Sequence, residues 1–374
     1  MPPRDLVLVS ACALLTLGVV VVQSAGMTVT SSGDLTALAT SKTVWLALAA
    51  MAALVIGRRL PQSWLTSPTL AITVLATSLV LLLAVFVPGF GREVNGARRW
   101  IEFGPIGFQP SEIAKWSLVI FLAWYASRRP TQMGLFRHGI GPALIVVTVI
   151  CGLTVLEDLG TAVLMATVAV LILLAAGARL WHFAAMAIPA CGALAVAIIA
   201  EPYRVQRLQT FLNPWADPSD SGYHMIQSMK AIAGGGIGGR GLGNGVQKFD
   251  YLPEDTTDFI FAIIVEELGV AGCLAVVFLF LTLIWSGWRI VQMQQHSGRQ
   301  LLALGITATI TLQAIMNLYV VTGLAPTKGI ALPLISSGGT GWIITGCMLG
   351  ILARLDCSTG QQNLIQAGTP APAT

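Results

Sequence analysis

Ten apolar blocks follow one another along the chain, at roughly residues 5–24, 38–57, 68–88, 111–127, 139–156, 160–177, 181–200, 258–286, 299–322 and 338–354. Most are about 20 residues long, the length of helix that crosses a bilayer core. Polar residues gather in short connections between them, with one long exception at about 201–257, between the seventh and eighth blocks. Hydrocarbon offers the backbone no hydrogen-bond partner, so spanning segments satisfy themselves as helix. The pattern predicts an all-α fold: a polytopic integral membrane protein with about ten transmembrane helices and a long extracytoplasmic loop between helices 7 and 8. The expected organisation is one transmembrane unit over residues 1–356, loop 201–257 included, then a flexible cytoplasmic tail at 357–374.

Composition removes the alternatives. Of 374 residues, 55% are hydrophobic and 10% charged, and mean hydropathy is +0.78. Soluble domains carry about 25% charged residues, so soluble globular classes are excluded. The net charge of +4 adds little. Cys12, Cys151, Cys191, Cys273, Cys347 and Cys357 form no CxxC pair and sit with no histidines at metal-ligand spacing, which makes them small apolar filler. The first block lacks a cleavage-like polar region with small residues and reads as a retained helix.

Arg4, Arg58–Arg59, Arg128–Arg129, Arg137, Arg179, Arg289, Arg299 and Arg354 fall on the side of the N-terminus. The positive-inside rule makes that side cytoplasmic and places both termini there. The short third-to-fourth connection departs from the rule. It reads "GREVNGARRWIEFGPIGFQPSEIAK" and carries Arg92, Arg98, Arg99 and Lys115 on the outer face, where Lys328 joins them. One reading is snorkelling toward lipid headgroups; the other is a cationic patch for an anionic substrate. The surroundings favour the patch: Trp100, the turn pairs Asn95-Gly96 and Gly104-Pro105, and a Gln109–Glu112 helix entry. There Ser111 is placed to cap the helix, Glu112 lies in the first turn, and Lys115 follows three residues on, within pairing reach.

Within the long loop an amphipathic stretch at about Tyr223–Ile232 predicts a short helix at the membrane surface. "GGGIGGRGLGNG" then places eight glycines in residues 234–245. No strand precedes it and no Gly-Lys-Ser/Thr follows, against a nucleotide P-loop. A loop closing over substrate and an inert linker both fit. Next comes "LPEDTTDFIFAIIVEELG", with Asp258 at the outer end of span eight and Glu254 four residues earlier. Spacing supports two roles for Asp258 equally: a helix N-cap or a general base. Glu266 and Glu267 lie about 12 Å deeper at 1.5 Å per residue, where a carboxylate is protonated, paired or facing water. Helical geometry turns Glu266 toward the face of Asp258, as a cavity-lining candidate, and Glu267 away from it, as an anchor to another helix. The last outer motif, "GLAPTKGIALPLISSGGTGW", breaks its helix with two prolines and five glycines, as backbone lining a cavity does.

Five stretches together resemble the SEDS family of shape, elongation, division and sporulation proteins: "NGARRWI", "QPSEIAK", "DLGTAV", "GLGNGVQKFDYLPEDTTDFIFAIIVEELG" and "GLAPTKGIALPLISSGG". They occur in family order and cover nearly the whole chain; "GLGNGVQK" and "PTKG" are closer to its division-type branch. The resemblance implies a peptidoglycan glycosyltransferase that polymerises lipid II at the outer face of the cytoplasmic membrane. It maps the family's essential aspartate onto Asp258. The implied substrate-binding set is Arg98, Trp100, Glu112, Lys115, Lys328 and Ser336, with the cations on pyrophosphate and Glu112 orienting Lys115. A divalent cation (magnesium or manganese) bridging pyrophosphate and Asp258 fits the chemistry, although no ligand cluster in the sequence demands one. Implied partners are lipid II, a class B penicillin-binding protein, other divisome proteins and the membrane, with no nucleic acid. Thr256, Ser337 and Glu157 depart from the family's frequent His, Tyr and Pro. The rival class is a lipid II flippase, which would line a path through both halves of the bilayer, whereas this chain gathers its charge outside. The same polymerase serving elongation is the other alternative.

Overall fold

Apolar runs that cannot exchange backbone hydrogen bonds with water fold as helix, and each of the ten blocks does so. The computed structural model describes residues 1–25, 41–88, 90–94, 97–103, 106–218, 222–246 and 256–367. Its ten long helices are α1 (Pro3–Ala25), α2 (Lys42–Arg59), α3 (Pro68–Ala84), α4 (Pro110–Ser127), α5 (Gly141–Glu157), α6 (Leu159–Ala175), α7 (Leu180–Ile199), α8 (Ile260–Met293), α9 (Ser297–Val321) and α10 (Thr340–Ala367). Five are long and apolar enough to cross a membrane: α1, α7, α8, α9, and α5 together with the π-helical turn Phe136–Ile140 that leads into it. Helices α3 and α6 are shorter apolar helices. This is an all-α polytopic membrane protein. The backbone of α10 runs to Ala367, past the expected start of the tail at 357, because no proline follows until Pro370.

The connection between α3 and α4, expected as a loop, is a small antiparallel sheet. Its strands are β1 (Gly91–Val94), β2 (Ala97–Phe103) and β3 (Ile106–Phe108), in that order. Gly91 pairs Ile101 and Ile101 pairs Phe108, with a bulge between Arg92 and Glu93. The Asn95-Gly96 pair is the hairpin signal that announces it. Helix α4 begins with Pro110 at its first position and Gln109 as its N-cap. Ser111 is therefore not the cap, since proline's fixed φ starts the helix a residue earlier.

Small residues let backbones approach in a bundle that has no water to squeeze out. The closest seam joins α2 and α10. A Cβ on Gly350 would lie 2.0 Å from Leu54 O, and one on Gly57 would lie 2.1 Å from Cys347 O. By contrast, not one residue of α7 is buried.

The long loop folds into two further helices, Pro202–Leu212 and Tyr223–Gly235. The second, expected as a short amphipathic helix, turns its apolar face onto the bundle. It buries Met225, Ile226 and Ala231, and Ser228 Oγ donates to Val321 O (2.7 Å). The glycine run then docks into a break in α8 at Gly269 (φ 64°, ψ −155°). There Arg240 N donates to Glu266 O (3.0 Å), Gly241 N to Glu267 O (2.9 Å) and Val270 N to Gly236 O (3.3 Å). Both carboxylates serve this junction. Glu267 Oε2 accepts from Ser24 Oγ of α1 (2.6 Å), while Glu266 Oε1 accepts from Val246 N (3.0 Å) and lies 3.7 Å from Arg240 Nε. The expected cavity-lining role of Glu266 is not realised, because the glycine loop folds over its side chain.

The α2–α10 seam gives a stability test. Gly350→Ala should lower the melting temperature in detergent, because its Cβ meets backbone that cannot yield. Gly152→Ala, whose Cβ meets nothing within 4 Å, should leave it unchanged. Equal melting of both variants would show that the seam adjusts.

Candidate functional site

The N-terminal ends of α2, α4, α6, α8 and α10 meet around one cavity of about 1510 Å³. Each helix N-terminus presents unpaired N–H groups and the positive end of its dipole. The side chains add to that field. Five cations line the cavity among the described residues: Lys42, Arg92, Arg99, Arg207 and Lys328. Against them stand three carboxylates, Glu112, Asp158 and Asp258.

Asp258 sits just ahead of α8. The N-cap position belongs to Phe259, which has no side-chain cap bond, so Asp258 is not the cap of that helix. Its main chain is held from α9: Asn317 Nδ2 donates to Asp258 O (2.8 Å) and to Ile330 O (2.7 Å). One turn earlier on α9, Gln313 Nε2 donates to Ala331 O (2.9 Å). These bonds bring the broken segment after α9 against Asp258. A Cβ built on Gly329 would lie 3.0 Å from Asp258 Oδ2 and 3.8 Å from Arg99 Nη1. The proposed base, a guanidinium and the Lys328–Gly329 backbone thus share one corner. Arg99 Nε is buried there without a hydrogen-bond partner among the described residues.

The rest of the wall is fixed by ordinary bonds. Asp158 caps α6, accepting from Thr161 N (3.1 Å) and Thr161 Oγ1 (2.7 Å). Arg207 Nη1 donates to Thr327 O (2.9 Å), and its guanidinium lies 4.3 Å from the Tyr203 ring centroid. His224 stacks on Phe259, centroids 6.0 Å apart. Burial pushes the Lys328 ammonium below the usual lysine range; Asp158 opposes that shift and Arg207 adds to it.

Of the residues expected here, Asp258, Trp100, Glu112 and Lys328 line the cavity. Ser336 borders it, but its fully buried hydroxyl accepts from Leu332 N (2.7 Å) and shapes the loop. Lys115 lies behind the wall. Its Nζ donates to Glu112 Oε1 (2.9 Å), Glu112 Oε2 (2.8 Å) and Gln313 Oε1 (2.8 Å), which occupies all three ammonium donors. Of the two, Glu112 lines the cavity and Lys115 is bonded to it from behind. The side chain of Arg98 and the whole of Glu254 fall outside the described residues; Arg99 is the arginine of that pair seen at the site. Gln313, Asn317 and Arg207 were not anticipated. Amides at i and i+4 in an apolar span, and an arginine on the amphipathic Pro202–Leu212 helix, were the signals that could have found them. No group of three or more His, Cys, Asp or Glu side chains placed to hold a metal ion occurs among the described residues.

A helical membrane bundle with a cationic, aspartate-bearing cavity at one end defines a class of integral membrane protein acting on anionic substrates. Within that class the chain belongs to the FtsW/RodA/SpoVE family of cell cycle proteins, whose profile matches residues 4–361. It is 41% identical over 351 residues to the probable peptidoglycan glycosyltransferase FtsW of Alkalilimnicola ehrlichii, covering 92% of this chain and 86% of that protein. Against the protein of the same description from Nitrosococcus halophilus it is 40% identical, covering 96% and 93%. Among solved structures it resembles a chain of a peptidoglycan synthase complex that coordinates polymerization and crosslinking (TM-score 0.77, 26% identity, 95% of this chain and 98% of that one). The crystal structure of the rod shape determining protein RodA of Thermus thermophilus is similar at TM-score 0.67 and 25% identity, covering 94% and 96%.

The corner at Gly329 yields a direct test. Gly329→Ala places a methyl 3.0 Å from Asp258 Oδ2, so the carboxylate must give by a few tenths of an ångström. Turnover should fall while membrane expression holds; turnover at the wild-type rate would separate this glycine from the reacting atoms.

Proposed function

We propose that this chain is a division-type peptidoglycan glycosyltransferase that polymerises lipid II. The observation that carries the reading is the corner in which Asp258, Arg99 and the Lys328–Gly329 backbone meet at the mouth of five helix N-termini. Glycosyl transfer needs a base for the acceptor sugar hydroxyl and positive charge for the departing pyrophosphate. In this reading the hydroxyl oxygen attacks the anomeric carbon of the donor as its proton passes to Asp258. The bond from that carbon to the pyrophosphate oxygen breaks, and the lipid pyrophosphate leaves with the electron pair. Arg99, Arg207 and Lys328 carry the charge that receives it. A magnesium or manganese ion would be brought largely by the pyrophosphate itself, with Asp258 within reach as a protein ligand.

Placement in the cell follows from charge. Arg58, Arg59, Arg128, Arg129 and Arg299 lie at the helix ends opposite the cavity, which argues for a bacterial cytoplasmic membrane, cytoplasmic termini and a cavity opening outside. The likeness to a chain of a polymerization and crosslinking complex supports a class B penicillin-binding protein as partner, alongside other divisome proteins.

The decisive assay uses the purified chain with its transpeptidase and labelled lipid II, scored for glycan strands on a gel. Asp258→Asn should abolish polymerisation with folding and partner binding intact; synthesis near the wild-type rate would end the proposal. A second measurement uses Lys328, whose charge is lost as pH rises through its lowered pKa. Pyrophosphate binding should weaken at a pH below the ordinary lysine value of about 10.4. Lys328→Arg, charged throughout, should remove that dependence, and its persistence in the arginine variant would assign it to another group.

A further inference from the structure

Helix α9 crosses beneath the site without presenting Asn317 to the cavity, yet both walls of the reactive corner are tied to it. Asn317 is 1% exposed. Its amide nitrogen donates one bond to Asp258 O (2.8 Å) and one to Ile330 O (2.7 Å), while its own Oδ1 accepts none from the described residues. Because both contacts are carbonyl oxygens, the amide orientation is determined by its partners. Ile330 directly follows Gly329, the residue packed on the Asp258 carboxylate. A single side chain therefore joins the main chain of residue 258 to the main chain beside 329.

We propose that Asn317 is a positioning residue of this enzyme: its two N–H bonds set the gap between the Asp258 carboxylate and the Lys328–Ile330 segment. This rests on the reading of Asp258 as the base. The two segments come from opposite ends of a helical hairpin and meet where each has left regular helix. Among the described residues one backbone bond, Ser337 N to Thr256 O (2.9 Å), joins them away from the Asp258–Gly329 contact. Gln313, on the same face one turn earlier, holds the neighbouring Ala331 O (2.9 Å), and so sets the tilt of the segment rather than its distance from residue 258. Asn317 bridges the two at residue 258 itself, while the bond from Ser337 N to Thr256 O lies two residues earlier. A residue that merely filled space would need no donor here, and a residue needed for its polarity alone would use its oxygen as well.

The distinguishing experiment measures kcat and KM for labelled lipid II in the chain–transpeptidase complex. It compares the wild type with Asn317→Leu, which keeps volume but donates nothing, and Asn317→Ser, which keeps one donor. Asn317→Leu should lose on the order of 100-fold in kcat, the scale of a small misplacement of reacting groups, with KM little changed. Asn317→Ser should fall between the two. A wild-type kcat, or a loss carried wholly by KM, overturns the proposal; so does lowered thermal stability without a change in kcat. If the leucine variant does not accumulate in the membrane, the same split in the serine variant decides. Asp258→Asn in parallel keeps the two readings apart. Activity in that variant removes the base assignment itself, whereas an inactive Asp258→Asn beside a wild-type Asn317→Leu removes only the positioning role.

Discussion

Wherever a helix breaks at membrane depth, the main-chain groups it releases must find partners inside the protein. The site depends on how this chain meets that demand. The segment after α9 gives up its helix over residues 322–339, and Gln313, Asn317 and Ser336 take the freed groups of Ala331, Ile330 and Leu332. The break at Gly269 is closed by the glycine loop, with Glu266, Glu267 and Ser24 on its flank. Polar residues in otherwise apolar spans are in this sense the scaffold of the irregular parts. Each hydrogen bond of this kind contributes about 1 kcal/mol net, but leaving a buried carbonyl unmet costs about 1–3 kcal/mol. The penalty, more than the bond, holds the geometry.

The same logic sorts the charges. Lys115 is a buried cation whose three donors are all taken, two of them by one carboxylate. A buried charge so paired is tolerated, while an unpaired one would lose its proton or unfold its surroundings. Arg99 is the converse, a guanidinium beside the cavity whose buried Nε has no hydrogen-bond partner among the described residues. The potential in the cavity comes from such partly satisfied groups and from the helix N-termini, which bring positive charge without a side chain to desolvate.

Much of this was readable from the chain. Helix number and order follow from the length of the apolar runs, because in lipid no other local structure closes its own hydrogen bonds. Asp258 and Lys328 stood out for the same reason: charges beside apolar runs have few places to go. Contacts between distant segments were less accessible. Periodicity put Glu266 and Glu267 on different faces of a continuous helix, but the helix stops at Gly269, and one loop reaches both. For Lys115, three-residue spacing shows Glu112 as a partner but cannot show Gln313, 198 residues away. The sheet over 91–108 was missed even though Asn95-Gly96 is a turn signal, because its strands are short and β3 spans only Ile106–Phe108.

Helix α7 buries none of its residues against the protein and carries Pro189 in its interior. That proline removes one helical hydrogen bond and crowds the carbonyl four residues back, a bend a tightly packed helix would transmit to its neighbours. Here the contacts lie near the two ends of the helix, Phe183 against the core and Ala197 O accepting from Arg204 (2.8 Å), away from the proline. What α7 must retain is therefore a length and an oiliness, not a shape. Its letters can be reordered within the apolar alphabet at little structural cost, whereas a single methyl group is costly at the α2–α10 seam. Packing within the chain thus constrains the bundle unevenly, tightly at the α2–α10 seam and loosely along α7.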